Sequence, residues 1–266
     1  MCAEDETAAA TGQAGFPPPA RPTPELALAP RPVRNAPAME TLFTLETRPG
    51  WLIARFPAAW RLAGWSLNRP GLTTTACVAW LEVVDADLPL GVDPLDLLDR
   101  RLAQAGLDGA AGMMTARALD RHHRAAAGDG PDRAEVLVTL GLTNGAVLDD
   151  QGRPRPVMPP PPAPVGTINL LAALTRPLSD GALLEALALA AQARTAALLA
   201  EDGRIVGTGT DCILLACPPA EAPCPFAGLH TATGQALTTA VYQATRAARR
   251  VWEAENPATL AASRRL

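Results

Sequence analysis

Two turns rich in glycine and hydroxyl side chains, Val165-Gly166-Thr167-Ile168-Asn169 and Gly207-Thr208-Gly209-Thr210-Asp211, enclose a long stretch of alanine and leucine. Ser179-Asp180-Gly181 precedes that stretch with short oxygen-bearing side chains, which can accept the unpaired N–H groups of a first helical turn. We therefore predict a helix over residues 182–200, a left-handed stop at Gly203, and a strand entering the second turn. This order brings polar side chains of both turns to one candidate pocket, namely Thr167, Asn169, Thr208, Thr210 and Asp211.

The predicted helix is composed almost entirely of alanine and leucine, a pattern typical of a central helix that is covered on most sides. Glu185 and Gln192 lie seven residues apart and so share one stripe. A solvent-facing stripe is the favoured interpretation over a pocket wall. These two residues and Arg194 interrupt the apolar run, whereas a membrane span needs about 20 predominantly apolar residues. We place the helix in water.

Composition favours one globular domain. The chain has 266 residues, of which 48% are hydrophobic, and a net charge of −4. We predict an α/β fold, a single domain with a mixed β-sheet layered with packed α-helices, and assign no topology. The negative charge argues against nucleic acid as a partner. Residues 1–6 carry three acids, and no apolar run follows them, so no secretory signal is indicated.

Five scattered cysteines without CxxC spacing support neither a disulfide framework nor a zinc site, and fit a reduced, cytoplasmic protein: Cys2, Cys77, Cys212, Cys217 and Cys224. The adjacent pair His122-His123 is a weak metal signal, because neighbouring residues point in different directions. We expect no metal site.

The chain divides into a disordered, proline-rich leader (1–38), a main domain (39–254) and a C-terminal tail (255–266). Met39 is an alternative first residue of the functional protein. Strands are predicted at residues 41–45, 51–56, 60–65, 73–83, 135–140, 165–173, 204–206 and 212–217, and helices at 93–105, 182–200 and 234–250.

Other segments are less regular in pattern. Residues 111–118 fit either a strand or a helix, a charged, glycine-rich loop follows the histidine pair and ends at Gly130, and residues 149–164 form an exposed extended loop. Four tryptophans are predicted as core rather than as a wall for a flat ligand: Trp51, Trp60, Trp65 and Trp80.

Five motifs in a fixed order resemble the adenosylcobinamide amidohydrolases of corrinoid salvage: Gly141-Leu142-Thr143-Asn144, Gly166-Thr167-Ile168-Asn169, Leu178-Ser179-Asp180-Gly181-Ala182-Leu183, Gly207-Thr208-Gly209-Thr210-Asp211 and Ala227-Gly228-Leu229-His230-Thr231-Ala232-Thr233-Gly234. The resemblance covers about residues 50–250. It implies a cytoplasmic enzyme that hydrolyses the amide joining aminopropanol to the corrin ring of adenosylcobinamide, an adenosylated corrinoid, in vitamin B12 (cobalamin) salvage.

This chain departs from the family pattern at two places. The family is expected to carry Glu and Lys in its central helix, where this chain has Gln192 and Arg194. If that Glu is the family's base, catalysis is weakened here. The Asn-Gly-Gly expected in an earlier turn is replaced by Asn68-Arg69-Pro70-Gly71, which alters the backbone available to a ligand.

Amide hydrolysis needs an activated water or nucleophile, donors for the oxyanion and an acid for the leaving amine. Asp211 is our first candidate for a base or a nucleophile-orienting carboxylate. Thr208 or Thr210 supplies a nucleophile or an oxyanion donor, Glu185 is a reserve carboxylate, and His230 is a candidate acid. The remaining candidates bind substrate: Asn68, Thr143, Asn144, Thr167, Asn169, Gly207 and Gly209.

The resemblance implies no cofactor and no protein-bound metal, because cobalt enters within the substrate. Threonine and aspartate in glycine-rich turns commonly satisfy only local backbone groups, so spacing alone does not assign these roles. Two alternatives stay open: a corrinoid-binding or trafficking protein without turnover, and an amidase with a threonine nucleophile and another substrate. No membrane partner is expected, and a homo-oligomer is compatible with the sequence.

Overall fold

The structure is a computed structural model that describes residues 41–157, 166–201 and 203–263. The predicted leader, Met39 and the run of prolines at 159–162 lie outside these residues. The elements, in chain order, are β1 (Thr44–Arg48), β2 (Trp51–Trp65), β3 (Pro70–Glu82), α1 (Pro94–Gln104), β4 (Ala111–Thr115), β5 (His123–Asp129), β6 (Asp132–Leu140), β7 (Gly145–Leu148), β8 (Pro154–Pro156), β9 (Ile168–Leu174), α2 (Asp180–Leu199), β10 (Ile205–Thr208), β11 (Cys212–Cys217), α3 (Ala232–Glu255) and α4 (Pro257–Ser263).

The main sheet has eight strands in the order β4-β3-β2-β11-β9-β6-β5, with β1 paired to β2. The pairs β3–β4 and β9–β11 are parallel and the others antiparallel, so the sheet is mixed. The sheet is strongly curled. Its edge strand β4 comes close to β9, and Asn169 Nδ2 donates to the Met114 carbonyl there at 2.7 Å. The predicted class, a mixed sheet layered with helices, is confirmed.

The curl gives the sheet an inner and an outer face. The inner face holds a core cluster, the interior cluster, that includes Phe43, Trp60, Trp80, Leu137, Leu171 and Leu214. Helices α2 and α3 pack on the outer face of the central strands and α1 on that of β2 and β3. All seven residues of β9 are buried because both of its faces are covered.

Helix α2 begins as expected, with the Ser179 hydroxyl accepting the Ala182 N–H at 3.2 Å. The prediction that it is covered on most sides is wrong. One face packs on β11 and α3, while Leu184 and Leu199 on the other are 54% and 44% exposed. Because leucine and alanine also fill the outer face, the sequence shows no amphipathic stripe.

The packing of α2 against the protein core explains part of its high hydropathy. Among the described residues it is the one helix long and apolar enough to cross a membrane by length and composition, and half of its most apolar window is buried in the protein. Those buried residues contact the sheet and α3, as in a core helix.

Three other predictions are corrected. Residues 51–65 form one strand, not two, because a bulge between Arg55 and Trp60 absorbs the irregular residues. The predicted loop after His122 is strand β5, which forms through pairing with β6 despite its small side chains. The left-handed residue after α2 is Glu201, at φ 52°, rather than Gly203.

Position 203 requires glycine because there is no room for a side chain, and not because of its backbone conformation. A Cβ there would lie 1.9 Å from the Leu198 carbonyl oxygen. The ambiguous residues 111–118 contain strand β4, and α1 starts with proline in its first turn, as predicted. The predicted tail contains α4, in which Thr259 and Ser263 are buried.

A second, three-stranded sheet in the order β10-β7-β8 supports the turns of interest. Strand β8 lies in the segment predicted as an extended loop, and pairs with β7. The Gly209 N–H donates to the Asn144 carbonyl at 3.4 Å, which ties the turn before β7 to the turn before β11.

Candidate active site

An apolar cavity of about 660 Å³ opens at one end of the curved sheet, where β9 and β11 begin. Clefts of roughly 300–1,000 Å³ commonly take small ligands. Its walls come from β4, the first residues of β9 and β11, the last residue of β2, and the segment between β3 and α1. The lining residues include Trp65, Met114, Thr167, Asn169, Thr210 and Asp211.

Strand alternation decides which side chains reach the cavity. Asn169 and Cys212 are partners on neighbouring strands and lie on the inner face, because Leu171 and Leu214, two residues further along, belong to the interior cluster. Asn169 is 1% exposed and forms the floor. Thr167 lies nearer the mouth, and its hydroxyl donates to the Thr210 carbonyl at 2.7 Å.

The carboxylate of Asp211 is surrounded by donors. Arg194 Nη1 on α2 lies 2.5 Å from Oδ2, and the Thr208 hydroxyl donates to Oδ1 at 2.5 Å. The Thr208 N–H contributes contacts at 3.2 Å to both oxygens, and the Ile168 N–H contacts Oδ1 at 3.3 Å. Asp211 therefore fixes turn 207–211 against α2 and β9.

Asp211 directs its carboxylate away from the interior. It precedes Cys212 by one residue, so alternation places it on the outer face with Ile213, which packs in the cluster under α2. The arrangement favours the role of orienting carboxylate over that of a free base. Its main chain faces the mouth, where the Trp65 indole N–H donates to the Asp211 carbonyl at 2.6 Å.

Thr210 is the hydroxyl residue of this turn that lines the cavity and is exposed. Its N–H donates to Thr208 Oγ1 at 3.4 Å, and Thr208 is half-buried behind it. Thus the ion pair with Arg194 holds Asp211, Asp211 holds Thr208, and Thr208 supports Thr210.

Gly207 lies directly against the ion pair. A Cβ at this position would approach Arg194 Nη1 to 2.3 Å and Asp211 Oδ2 to 2.8 Å. Glycine is needed here because of this close approach.

Substitution Gly207→Ala is therefore expected to separate Arg194 from Asp211, lower the free energy of unfolding by about 2–4 kcal/mol and reduce activity. Urea unfolding and turnover measure both effects. Gly109→Ala, at an exposed position without a left-handed backbone where a Cβ meets no atom within 4 Å, is the control for glycine replacement. Equal behaviour of the two variants would contradict the close-approach argument.

Two further candidates near the second sheet, Asn144 and Thr143, lie beside turn 207–211. Asn144 is exposed, with its side-chain amide 3.4 Å from a Cβ built on Gly209. Thr143 packs against Gly166, where its Oγ1 lies 2.4 Å from the position of an added Cβ. These residues lie close to the turn but outside the cavity walls.

Three sequence candidates lie elsewhere. Glu185 precedes Arg194 by nine residues, about 14 Å along the helix axis, and its Oε2 accepts the Ala227 N–H at 2.7 Å. His230, exposed in the segment just after Ala227, does not line the cavity. Asn68 joins main-chain groups of β4, donating to the Ala110 carbonyl at 3.1 Å.

Sequence reasoning missed part of the cavity wall. Trp65 was predicted as core, yet it is 43% exposed at the mouth, whereas the other three tryptophans named with it are buried. Its place at the end of β2, next to the Asn68 turn, was the available signal. Met114 and Arg194 were also missed, because their roles depend on contacts distant in sequence.

Cys212 lines the cavity, but burial raises the pKa of its thiol to about 12. At pH 8 the thiol is protonated, and the thiolate is the reactive form. Among the four cysteines of the described residues, we expect iodoacetamide at pH 8 to leave Cys212 unmodified and to modify the half-buried Cys224 first, as measured by peptide mass mapping. Rapid alkylation of Cys212 in the folded protein would contradict this description of its environment.

Within the described ranges, no group of three or more His, Cys, Asp and Glu side chains is placed to hold a metal ion. The site instead combines hydroxyls, a carboxamide and an arginine-bound carboxylate beside an apolar cavity. These are groups suited to positioning and cleaving an amide.

The chain is similar in sequence to known amide hydrolases. Residues 36–257 match the model of the adenosylcobinamide amidohydrolase family. An adenosylcobinamide amidohydrolase from Halobacterium salinarum is 39% identical over 162 residues, which cover 59% of this chain and 67% of that protein. The protein is a hydrolase that acts on amide bonds. The chain belongs to the adenosylcobinamide amidohydrolase family.

Solved structures show more distant likenesses. The PH0078 protein from Pyrococcus horikoshii OT3 has a TM-score of 0.40 and 11% identity, over 73% of this chain and 75% of that chain. A β-aminopeptidase from Burkholderia sp. has a TM-score of 0.38 and 14% identity, over 75% of this chain and 77% of that chain.

Proposed function

We propose that this protein hydrolyses the amide between the corrin side chain and aminopropanol in adenosylcobinamide, giving adenosylcobyric acid and 1-aminopropan-2-ol in cobalamin salvage. Family membership supports adenosylcobinamide as the substrate. The observation that carries the proposal is the convergence of the 166–169 and 207–211 motifs on one cavity, with the 141–144 motif bonded to turn 207–211.

The shape of the cavity favours entry of the side arm alone. A corrinoid is larger than the ligands that fill clefts of this size, so the macrocycle stays at the mouth while the amide arm enters. The rim is apolar and accessible there, with Trp65 at 43%, Leu67 at 40% and Val84 at 61% exposure. These side chains suit the flat, methyl-bearing edge of a corrin.

The reaction adds water across the amide. The oxygen of water bonds to the carbonyl carbon, the C–N bond breaks, and the amine nitrogen takes both protons of the water, so the products at neutral pH are a carboxylate and an ammonium group. Thr210 presents its hydroxyl to the arm at the cavity wall, and Asp211 and Thr208 hold it in place. The protein contributes position and a low-dielectric environment. Cobalt arrives as part of the substrate, and no added metal is required.

Turnover is favoured over a corrinoid-binding role without catalysis. The second role was suggested by Gln192 in place of an expected glutamate. In the structure Gln192 is exposed on α2, two residues before Arg194, and does not line the cavity. Arg194, the other departure, keeps the positive charge of the lysine expected there and binds Asp211.

The test incubates the purified protein with adenosylcobinamide without added metal, with mass spectrometry for both products. Release of adenosylcobyric acid and aminopropanol is expected. Binding without cleavage would favour the trafficking alternative, and the absence of both would contradict the proposal.

Thr210 variants test the catalytic assignment. Thr210→Ala is expected to lower kcat about 100-fold or more, and Thr210→Ser to retain most of it, because the hydroxyl is kept. Gln192→Ala, on the exposed side of α2, is the control and should match the wild type. An acyl-enzyme at Thr210 detected by intact mass would identify it as the nucleophile. Full activity in Thr210→Ala would remove it from the mechanism.

A further inference from the structure

The outer edge of strand β4 forms part of the cavity wall. The Thr115 carbonyl accepts the Val83 N–H at 2.9 Å, so Thr115 directs its main-chain groups toward β3. Alternate residues of a strand direct these groups to opposite sides. Those of Gly112 and Met114 therefore point away from β3, toward the open edge.

Most of these outward groups are already bonded. The Gly112 carbonyl accepts the Leu67 N–H at 3.2 Å, and the Gly112 N–H donates to Asn68 Oδ1 at 2.8 Å. The Met114 carbonyl accepts from Asn169 Nδ2 at 2.7 Å. For the Met114 N–H, the described residues supply no acceptor. One main-chain donor on this edge is left for a ligand.

Asn169 provides the matching acceptor. Its amide nitrogen is oriented by the Met114 carbonyl, since the reversed amide would place two oxygens together. Its Oδ1 accepts from no donor among the described residues. Asn169 is 1% exposed and lines the cavity, so this oxygen is available to a ligand bound there. A main-chain donor on β4 and a side-chain acceptor on β9 thus belong to residues that line the same cavity.

We propose that the scissile amide of the ligand binds between this edge of β4 and the side chain of Asn169. The ligand carbonyl accepts the Met114 N–H on one side, and the ligand N–H donates to Asn169 Oδ1 on the other. A trans secondary amide presents its carbonyl and its N–H in these opposite directions. The inference rests on the proposed function and adds the contacts that orient the reacting bond.

This pose gives both contacts a chemical role. As water adds, negative charge develops on the carbonyl oxygen, and the Met114 N–H stabilises it. Asn169 holds the nitrogen that becomes the leaving amine. The contact with Asn169 disappears if the ligand has no N–H.

The test compares adenosylcobinamide with its ester analogue, in which oxygen replaces the amide N–H. Asn169→Ala is expected to lower kcat about 10- to 100-fold on the amide and by less than about 3-fold on the ester. Thr245→Val is the control, because it also removes a buried polar group but lies on α3, away from the cavity walls. It should leave both substrates unaffected.

Equal losses on amide and ester would overturn the inference while leaving the hydrolase activity in place. A rise in KM with unchanged kcat would also overturn it, because Asn169 would then bind a part of the ligand that does not react. Failure of the wild type to cleave adenosylcobinamide would instead contradict the proposed function. If Asn169→Ala does not fold, wild-type enzyme is given the N-methyl amide, and undiminished cleavage overturns the inference.

Discussion

Replacement of Asp211 by asparagine is expected to reduce turnover about 100-fold or more. Asparagine has one acceptor oxygen and an NH2 group, and the latter would face Arg194 or the Thr208 donors. The side chains of Asp211 and Arg194 are only 10% and 12% exposed, so the arginine would be left without its partner. We expect a fall of about 2–4 kcal/mol in the free energy of unfolding.

Asp180→Asn is the matched control, because Asp180 also pairs with an arginine, Arg61, but is 65% exposed. An exposed pair contributes about 0–1 kcal/mol. Turnover and thermal unfolding of both variants separate the effects. If Asp211→Asn unfolds and turns over like Asp180→Asn, turn 207–211 does not depend on the ion pair.

Replacement of Arg249 by leucine is expected to give the largest loss of stability, about 3–5 kcal/mol. Arg249 extends from α3 to the end of α2, where Nη1 donates to the Leu198 carbonyl at 2.9 Å and also contacts Ala200. Its side chain is 5% exposed, and Glu253 lies 2.6 Å from Nε. The substitution leaves carbonyls and a carboxylate without their donor.

The neighbouring arginine provides the control. Arg250 is 58% exposed and pairs with Glu201 at the surface, so Arg250→Leu should change the free energy of unfolding by less than about 1 kcal/mol. Urea unfolding of the two variants makes the comparison. Equal losses would show that Arg249 does not stabilise the end of α2.

The two arginines show where sequence reasoning reaches its limit. Basic side chains near the C-terminus of a helix commonly suit the negative end of their own helix. The helix continues to Glu255, and Arg249 instead bonds the last carbonyls of α2. Helical spacing predicts which residues share a face, but not which other helix end lies opposite that face.

For the candidate site, the sequence predicted which segments meet but not how each side chain is directed. The turns 166–169 and 207–211 were expected to meet because they lie on either side of the long apolar helix, and the Thr167 hydroxyl donates to the Thr210 carbonyl. The direction of Asp211 toward α2 was not readable, since it depends on the register of β11. Trp65 was assigned to the core because its side chain is large and apolar, although its position at the end of β2 indicated otherwise.

Glu185 and His230 illustrate another limit. The five motifs suggested one site, but 227–234 packs near the start of α2, toward the end opposite Arg194. Sequence order shows which segments a family shares and does not show which end of a helix each one contacts. The corrinoid is therefore expected to bind by Trp65 and Asn169, away from Glu185.

The most direct test of this account is to locate the cobalt atom by anomalous scattering in crystals of the wild-type protein with adenosylcobyric acid. The account predicts cobalt outside the cavity mouth, beside Trp65, with the product carboxylate accepting the Met114 N–H. Cobalt bound near Glu185 and His230, with the cavity empty of ligand, would contradict it.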